Sequence, residues 1–187
     1  MIICLMVTPM KNQLQVNPDS ELPSRIGLLA LDFDGVLTNN KVIFSEDGTE
    51  SVVCDKSDSL GLAAIKNIGM PIIVISTETN PVVGARCNKL GVECLQGTAN
   101  KLVTLTALAR EREIPLSSIV FVGNDVNDLE CLKKVGCGVV VADAHPETFE
   151  SAKIVLTKNG GEGAVRQLCD IILKHVSKTE AAKYRSI

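Results

Sequence analysis

The residues best suited to chemistry in this sequence are acids that directly follow short apolar segments. Asp32 and Asp34 follow one such segment, and Asp125, beside the amide residue Asn124, follows another. Two acids separated by one residue project to the same side of an extended backbone, so Asp32 and Asp34 can act on one reacting group. Clustered carboxylates repel one another unless a cation compensates their charge. Oxygen ligands without histidine or cysteine indicate Mg²⁺ as that cation.

A hydroxyl and a lysine lie between these acids in the chain. Ser76 ends the apolar run 72–76, and Lys101 begins a segment with helical periodicity. A metal ion and a lysine can neutralise a phosphoryl group while a carboxylate attacks phosphorus. We therefore expect phosphoryl chemistry in which one acid is the nucleophile and the other carries a proton. The sequence has no GxxxxGK[ST] motif, which argues against a P-loop enzyme.

The elements that must position these residues alternate between apolar runs and helical segments, which predicts an α/β fold with a doubly wound, Rossmann-like parallel sheet. The apolar runs are rich in Ile, Val and Leu, as buried parallel strands are. The predicted strands span residues 26–31, 72–76, 119–122, 138–141 and 154–156, and the predicted helices span 58–68, 81–90, 99–113, 127–135 and 162–176. Ligands bind such sheets at the carboxyl ends of the strands, where the polar residues lie.

The chain divides into a flexible lead-in, one α/β domain and a C-terminal tail, spanning residues 1–25, 26–176 and 177–187. Within the domain, residues 42–54 contain two β-prone runs around Asp47 and Gly48, which predicts a hairpin inserted after the first strand. Residues 1–7 are apolar but lack a basic start and a small-residue cleavage site, so we do not expect a signal peptide.

Composition excludes several classes of protein. The 187 residues are 45% hydrophobic and 22% charged, as in globular domains. A net charge of −3 and the absence of Trp argue against nucleic-acid binding, and no apolar run is long enough to cross a membrane. The seven Cys residues form no CxxC pair, so we expect reduced thiols in a cytoplasmic protein.

Four motifs, in this order, resemble those of the haloacid dehalogenase superfamily of phosphatases. They are Asp32-Phe33-Asp34-Gly35-Val36-Leu37-Thr38, Ser76, Lys101 and Gly123-Asn124-Asp125-Val126-Asn127-Asp128. Over about residues 27–175 the chain is most similar to the capless branch that dephosphorylates 3-deoxy-D-manno-octulosonate 8-phosphate and related nine-carbon ulosonic acid 9-phosphates. Similar modules are fused to cytidylyltransferases that activate sialic acids.

The resemblance implies a catalytic role for each motif. Asp32 would attack phosphorus and form an aspartyl-phosphate. Asp34 would protonate the leaving sugar oxygen and then activate the hydrolytic water. Ser76 and Lys101 would hold the phosphate oxygens.

The resemblance also implies a Mg²⁺ site, from which this sequence departs at one position. The ion would bind the Asp32 carboxylate, the Asp34 main-chain carbonyl and a side chain of the fourth motif. The usual metal-binding acid there is replaced by Asn124, whose amide carries no formal charge, and the adjacent Asp125 is an alternative ligand. This departure keeps open a second interpretation, a weakly catalytic oligomerisation module associated with a CMP-sialic acid synthetase.

The spacing of the motifs leaves no room for a cap domain. Residues 39–75 suffice only for the hairpin and one helix, and the segment between Lys101 and Asn124 holds only a helix, a turn and a strand. In the branch that the chain resembles, tetramer formation covers the exposed site. We therefore expect a homotetramer in which the hairpins pack together.

Three charged residues after the second motif bear on the substrate. Arg86 and Lys89 lie on one face of helix 81–90 and could grip a carboxylate, while Glu78 could accept hydrogen bonds from sugar hydroxyls. The resemblance adds Thr77 and Gly35 to the substrate-binding residues. Because the nine-carbon branch has Glu where the octulosonate branch has Arg, the sequence favours an N-acylneuraminate or deaminated-neuraminate 9-phosphate. Octulosonate 8-phosphate is the alternative.

Overall fold

A computed structural model describes the backbone of residues 18–185 and the side chains of residues 20–179. The strands are β1 Leu28–Leu31, β2 Thr38–Phe44, β3 Glu50–Cys54, β4 Ile72–Ile75, β5 Glu93–Leu95, β6 Ile119–Gly123, β7 Cys137–Val140 and β8 Ile154–Val155. The helices are α1 Pro18–Glu21, α2 Lys56–Asn67, α3 Pro81–Leu90, α4 Lys101–Glu111, α5 Leu129–Lys134 and α6 Ala164–Arg185. Three 3₁₀ segments span Leu116–Ser118, Val126–Asp128 and Pro146–Ser151.

Six strands form one parallel sheet in the order β5-β4-β1-β6-β7-β8. The central strand β1 is completely buried because β4 and β6 flank it, which explains its uninterrupted apolar sequence. After β1 the chain forms β4 and β5 on one side of that strand and then crosses to form β6, β7 and β8 on the other side, so the carboxyl end of β1 is a topological switch point. The predicted α/β fold with a doubly wound parallel sheet is confirmed.

Helices pack in pairs beside the sheet, α2 against α6 and α4 against α5. Helices α2, α3 and α4 begin at the N-caps Asp55, Asn80 and Asn100, whose side chains accept hydrogen bonds from backbone N–H groups in the first turn. Helix α6 differs from the prediction. It begins at Ala164 and continues to Arg185, so residues 177–185 extend the helix and do not form a separate tail.

The described part of the lead-in is also more ordered than predicted. Helix α1 packs against α6, and Leu22 is buried in the core. The ring of His175 on α6 is hydrogen-bonded to the carbonyl of Pro23 at 3.0 Å. These contacts fix residues 18–25 to the domain. The remainder of the predicted lead-in, which includes the apolar residues 1–7, lies outside the described residues.

Strands β2 and β3 form a separate antiparallel hairpin that follows β1. It begins at Thr38, earlier than predicted, and its turn contains Gly48 at φ 83°. Between the hairpin and β4 there is only α2, so these residues form no cap domain. Within residues 18–185, no helix has both the length and the apolar character needed to span a membrane.

Candidate active site

Asp32 occupies the carboxyl end of β1 and is 4% exposed. Its Oδ1 accepts a hydrogen bond from the N–H of Phe33 at 2.7 Å. The Nζ of Lys101, at the start of α4, lies 2.7 Å from the same oxygen. The strand end and the first turn of a neighbouring helix therefore hold this carboxylate in one orientation.

Lys101 joins Asp32 to a second buried acid, Asp128. The Lys101 Nζ donates to Asp128 Oδ1 at 2.8 Å, and both side chains are almost completely buried. The other oxygen of Asp128 accepts the N–H groups of Asn124 and Asp125 at 2.9 and 3.3 Å. Lys101 thus lies between two carboxylates and does not line the cleft in which a substrate phosphate would bind.

The charges of this buried cluster shift the pKa of its members. Burial raises the pKa of Asp32 to about 7, with a further contribution from the negative charge of Asp128, while Lys101 acts in the opposite direction. Burial alone would lower the pKa of Lys101, but the two carboxylates outweigh that effect and raise it above its usual value. Lys101 is therefore charged at neutral pH, and it partly compensates the cost of burying Asp32.

Asp34 lies in the loop after β1 and is held by Thr38. The Thr38 hydroxyl donates to Asp34 Oδ1 at 3.3 Å and accepts the N–H groups of Gly35 and Asn40 at 3.1 and 3.2 Å. Partial burial raises the pKa of Asp34, which the hydrogen bond from Thr38 partly offsets. A raised pKa suits a carboxyl group that must donate a proton.

A cleft of about 260 Å³ opens above these acids at the carboxyl edge of the sheet. All but one of its lining residues carry a carboxylate, an amide or a hydroxyl. The lining residues are Asp32, Asp34, Asn40, Ser76, Thr77, Asn124, Asp125, Val126 and Asn127. The structure therefore brings together the predicted residues of the first, second and fourth motifs. A polar cleft with several carboxylates suits an anionic ligand only when a cation is also present.

Ser76 follows β4 and is 2% exposed. Its Oγ accepts the N–H of Glu78 at 3.1 Å. The Oε1 of Glu78 accepts the N–H groups of Thr79 and Asn80 at 2.6 and 2.8 Å, so this carboxylate stabilises its own turn. Glu78 does not line the cleft, whereas the adjacent Thr77 does.

Arg86 and Lys89 also lie away from the cleft lining. The Nη2 of Arg86 donates to the carbonyl of Asp55 at 3.3 Å and to the hydroxyl of Ser59 at 3.2 Å, so the guanidinium faces the start of α2. Its Nε is buried without a hydrogen-bond partner. Lys89 is exposed in the last turn of α3. Neither of the two cations predicted to grip a carboxylate therefore lines the cleft.

The possible metal ligands are all oxygen atoms. Asp32, Asp34, Asn124 and Asp125 line the same cleft. Gly35 adopts φ 74°, and a Cβ there would lie 1.9 Å from Nδ2 of Asn124, so this glycine makes room for the amide and does not itself line the cleft. No group of three or more His, Cys, Asp or Glu side chains suitable for a metal occurs among the described residues. A site with few carboxylates fits Mg²⁺, which keeps several waters and binds substrate phosphate.

Sequence reasoning missed the structural roles of several residues. Asp128 belongs to the fourth motif, but its contact with Lys101 depends on the 3₁₀ segment after β6, which turns it toward that lysine. The N–H of Gly160 donates to Asp143 at 2.9 Å, and a Cβ on Gly160 would lie 1.9 Å from the carbonyl oxygen of Gly35. The glycine-rich turn therefore packs directly on the loop that carries Asp34, a contact between segments that are distant in sequence.

The chain is similar to haloacid dehalogenase-like hydrolases, whose family profile matches residues 85–168. It is 35% identical over 163 residues to 3-deoxy-D-manno-octulosonate 8-phosphate phosphatase KdsC of Escherichia coli strain K12, covering 87% of each chain. The protein of the same name from Yersinia pestis is 32% identical over 165 residues, covering 88% of each.

Solved structures of similar proteins share the fold. The octulosonate 8-phosphate phosphatase of Moraxella catarrhalis, in complex with magnesium, phosphate and KDO, has a TM-score of 0.82 at 31% identity. That match covers 90% of this chain and 97% of the other. A putative HAD family hydrolase from Streptomyces avermitilis has a TM-score of 0.78 at 40% identity, covering 80% and 87%.

Proposed function

The chain belongs to the haloacid dehalogenase-like hydrolases and is a phosphoric monoester hydrolase, and we propose that its substrate is 3-deoxy-D-manno-octulosonate 8-phosphate. The observation that carries the proposal is the cleft in which Asp32, Asp34 and Ser76 converge at the end of the central strand. The extent of similarity to the phosphatases of that substrate supports the choice of sugar acid.

The reaction divides between the two acids of the first motif. Asp32 attacks phosphorus through a carboxylate oxygen, and the bond between phosphorus and the sugar oxygen breaks. Asp34 gives its proton to that leaving oxygen. Water then attacks the aspartyl-phosphate, Asp34 takes a proton from it, and Asp32 is released with inorganic phosphate. Ser76 donates a hydrogen bond to the phosphoryl oxygens.

Mg²⁺ is the cofactor that we assign to this cleft. The Asp32 carboxylate, the Asp34 carbonyl and the side chain of Asn124 or Asp125 would hold it. The bound ion supplies positive charge that offsets the charge of the phosphoryl group. Lys101 is buried between two acids, so its part is to fix Asp32 and to offset the charge of Asp128.

The nine-carbon substrate favoured by the sequence is the second candidate. The argument for this substrate depends on Glu78, Arg86 and Lys89, and none of these residues lines the cleft in a single copy of the chain. Glu78 is engaged by the turn that follows it, and Arg86 faces α2. The eight-carbon substrate is supported by overall similarity, whereas the nine-carbon substrate is supported only by these three side chains.

The test is phosphate release with Mg²⁺ from octulosonate 8-phosphate and from a neuraminate-type 9-phosphate. We expect a higher kcat/KM for the eight-carbon ester and, for Asp32→Asn, a loss of at least about a thousandfold with both substrates. A preference for the nine-carbon ester would contradict the proposed substrate and keep the mechanism. Wild-type turnover retained in Asp32→Asn would contradict the mechanism itself.

We also propose that the chain assembles as a homotetramer through its hairpin. Val42, Ile43 and Phe44 of β2 are 52%, 60% and 69% exposed, and Val53 of β3 is 48% exposed. A two-stranded sheet is marginally stable alone, so an apolar hairpin outside the core favours packing against other copies. The six described cysteines are free thiols, which supports a cytoplasmic location.

A further inference from the structure

Asn40 has an unusual backbone conformation at the edge of the cleft. Its φ is 59°, and Glu113 is the only other non-glycine residue in the described chain with a positive φ. The pairing of β2 with β3 is irregular between Thr38 and Val42, which removes Asn40 from the regular ladder. Backbone conformations of this kind persist where the surrounding structure requires them, and they concentrate at functional sites.

The side chain of Asn40 is available to a ligand. Asn40 is exposed, and it is the only residue of the hairpin, Thr38–Cys54, that lines the cleft. Its N–H donates to Thr38, but its carboxamide has no hydrogen-bond partner among the described residues. The adjacent Asn39 differs, because its side-chain oxygen accepts the N–H of Lys41 at 3.3 Å and it does not line the cleft.

Thr38 connects Asn40 to Asp34, the acid that the proposed function assigns to the leaving oxygen. One hydroxyl, that of Thr38, contacts both the carboxylate of Asp34 and the N–H of Asn40. In the proposed reaction Asp34 protonates the leaving oxygen, so Asn40 is near the part of the substrate that carries this oxygen. In the same proposed reaction Asp32 and Ser76 act on the phosphoryl group, on the other side of the reacting bond.

We propose that Asn40 determines specificity by hydrogen-bonding, through its carboxamide, a hydroxyl of the leaving polyol close to the phosphoester, an inference that rests on the proposed function. A carboxamide both donates and accepts, so it matches a hydroxyl in either direction. It carries no charge, which matters in a cleft that already contains Asp32, Asp34 and Asp125. Asparagine also tolerates a positive φ better than most residues do.

The chain offers a clean variant to test this role. Asn40→Gly removes the carboxamide and leaves a residue that adopts a positive φ without strain, so the fold is retained. Asn39→Ala is the matched control, because it removes the carboxamide of the neighbouring residue, which does not line the cleft. Each protein is assayed with Mg²⁺ on octulosonate 8-phosphate, on a neuraminate-type 9-phosphate and on phenyl phosphate, whose leaving group has no further hydroxyl.

We expect Asn40→Gly to lower kcat/KM about tenfold for the preferred sugar acid phosphate and less than about twofold for phenyl phosphate. Asn39→Ala should change neither by more than about twofold. An equal effect on both kinds of substrate, or no effect, would overturn the role of Asn40.

The failure of the proposed substrate would be distinguishable. A wild type that prefers the nine-carbon ester rejects the eight-carbon proposal, and the same comparison with phenyl phosphate still decides the role of Asn40. A wild type that hydrolyses neither sugar acid phosphate overturns both.

Discussion

The Nζ of Lys101 lies 2.7 Å from Oδ1 of Asp32, and the exposed fractions of the two side chains are 1% and 6%. A buried carboxylate is costly without a cation, and here the cation comes from the first turn of α4. The same ammonium bonds to Asp128, which in turn accepts two backbone N–H groups of the fourth motif. One lysine of α4 thus connects the acid at the end of β1 to the acid in the 3₁₀ segment after β6.

Replacing Lys101 by Met should therefore damage both stability and activity. The variant retains the length of the side chain but leaves two carboxylates buried without a cation. We expect the free energy of unfolding to fall by about 3 kcal/mol and kcat to fall at least about a hundredfold. Urea unfolding and phosphate release measure these two effects. Lys133→Met, at an exposed position of α5, is the control, and wild-type behaviour of Lys101→Met would contradict the connection.

The burial of Asp58 leads to a prediction about how the stability of the fold depends on pH. It is completely buried on α2, its Oδ1 accepts the N–H of Arg166 at 2.8 Å, and its Oδ2 has no partner. Burial raises its pKa from 3.8 to about 6. The folded state therefore binds this proton more tightly than the unfolded state does, so protonation of Asp58 stabilises the fold. This contribution to the free energy of unfolding is complete below about pH 4 and is lost as the pH rises through about 6.

Asp58→Asn removes this titration and retains an oxygen for the Arg166 N–H. We expect the variant to be more stable than the wild type above pH 6, by about 1–3 kcal/mol, with a flatter dependence between pH 4 and 6. Urea unfolding across that range measures both. Asp170→Asn changes a carboxylate that is 55% exposed and should alter the slope far less. An unchanged slope in Asp58→Asn would contradict the argument.

The sequence was sufficient to predict the sheet and the location of the cleft, because both follow from local patterns. Buried runs such as Leu28–Leu31 are apolar at every position, and parallel strands end at one edge. β5 was missed because Glu93–Leu95 is too short to show a pattern. Arg86 lies on the predicted helix, but its direction depends on contacts with Asp55 and Ser59, which are distant in sequence.

The exposed face of the hairpin leads to a prediction about assembly. Changing Ile43 and Phe44 together to Ser removes the most exposed apolar side chains of β2. If the proposed tetramer forms, we expect sedimentation velocity to show a smaller species for the variant than for the wild type, with a lower kcat/KM because neighbouring copies would no longer cover the cleft. Val155→Ser, at a 39% exposed residue of β8, is the control. A wild type that sediments as a fully active monomer would contradict the assembly.

Asn124 leads to a prediction about metal affinity. It is 7% exposed, its N–H donates to Asp128, and its amide lies against Gly35. An aspartate of the same shape fits this position and adds a negative charge where a cation would bind. We expect Asn124→Asp to lower the Mg²⁺ concentration for half-maximal activity about threefold to tenfold.

Two further variants separate a direct ligand from a general effect of charge. Asn127→Asp makes the same change at another lining residue of the cleft, and it should lower the required Mg²⁺ concentration much less. If both variants act equally, Asn124 is not a ligand. If only Asp125→Asn weakens the Mg²⁺ response, Asp125 holds the ion. An inactive wild type that gains activity in Asn124→Asp would instead favour a weakly catalytic module, because the remaining machinery of Asp32, Asp34 and Ser76 would then have lacked only that charge.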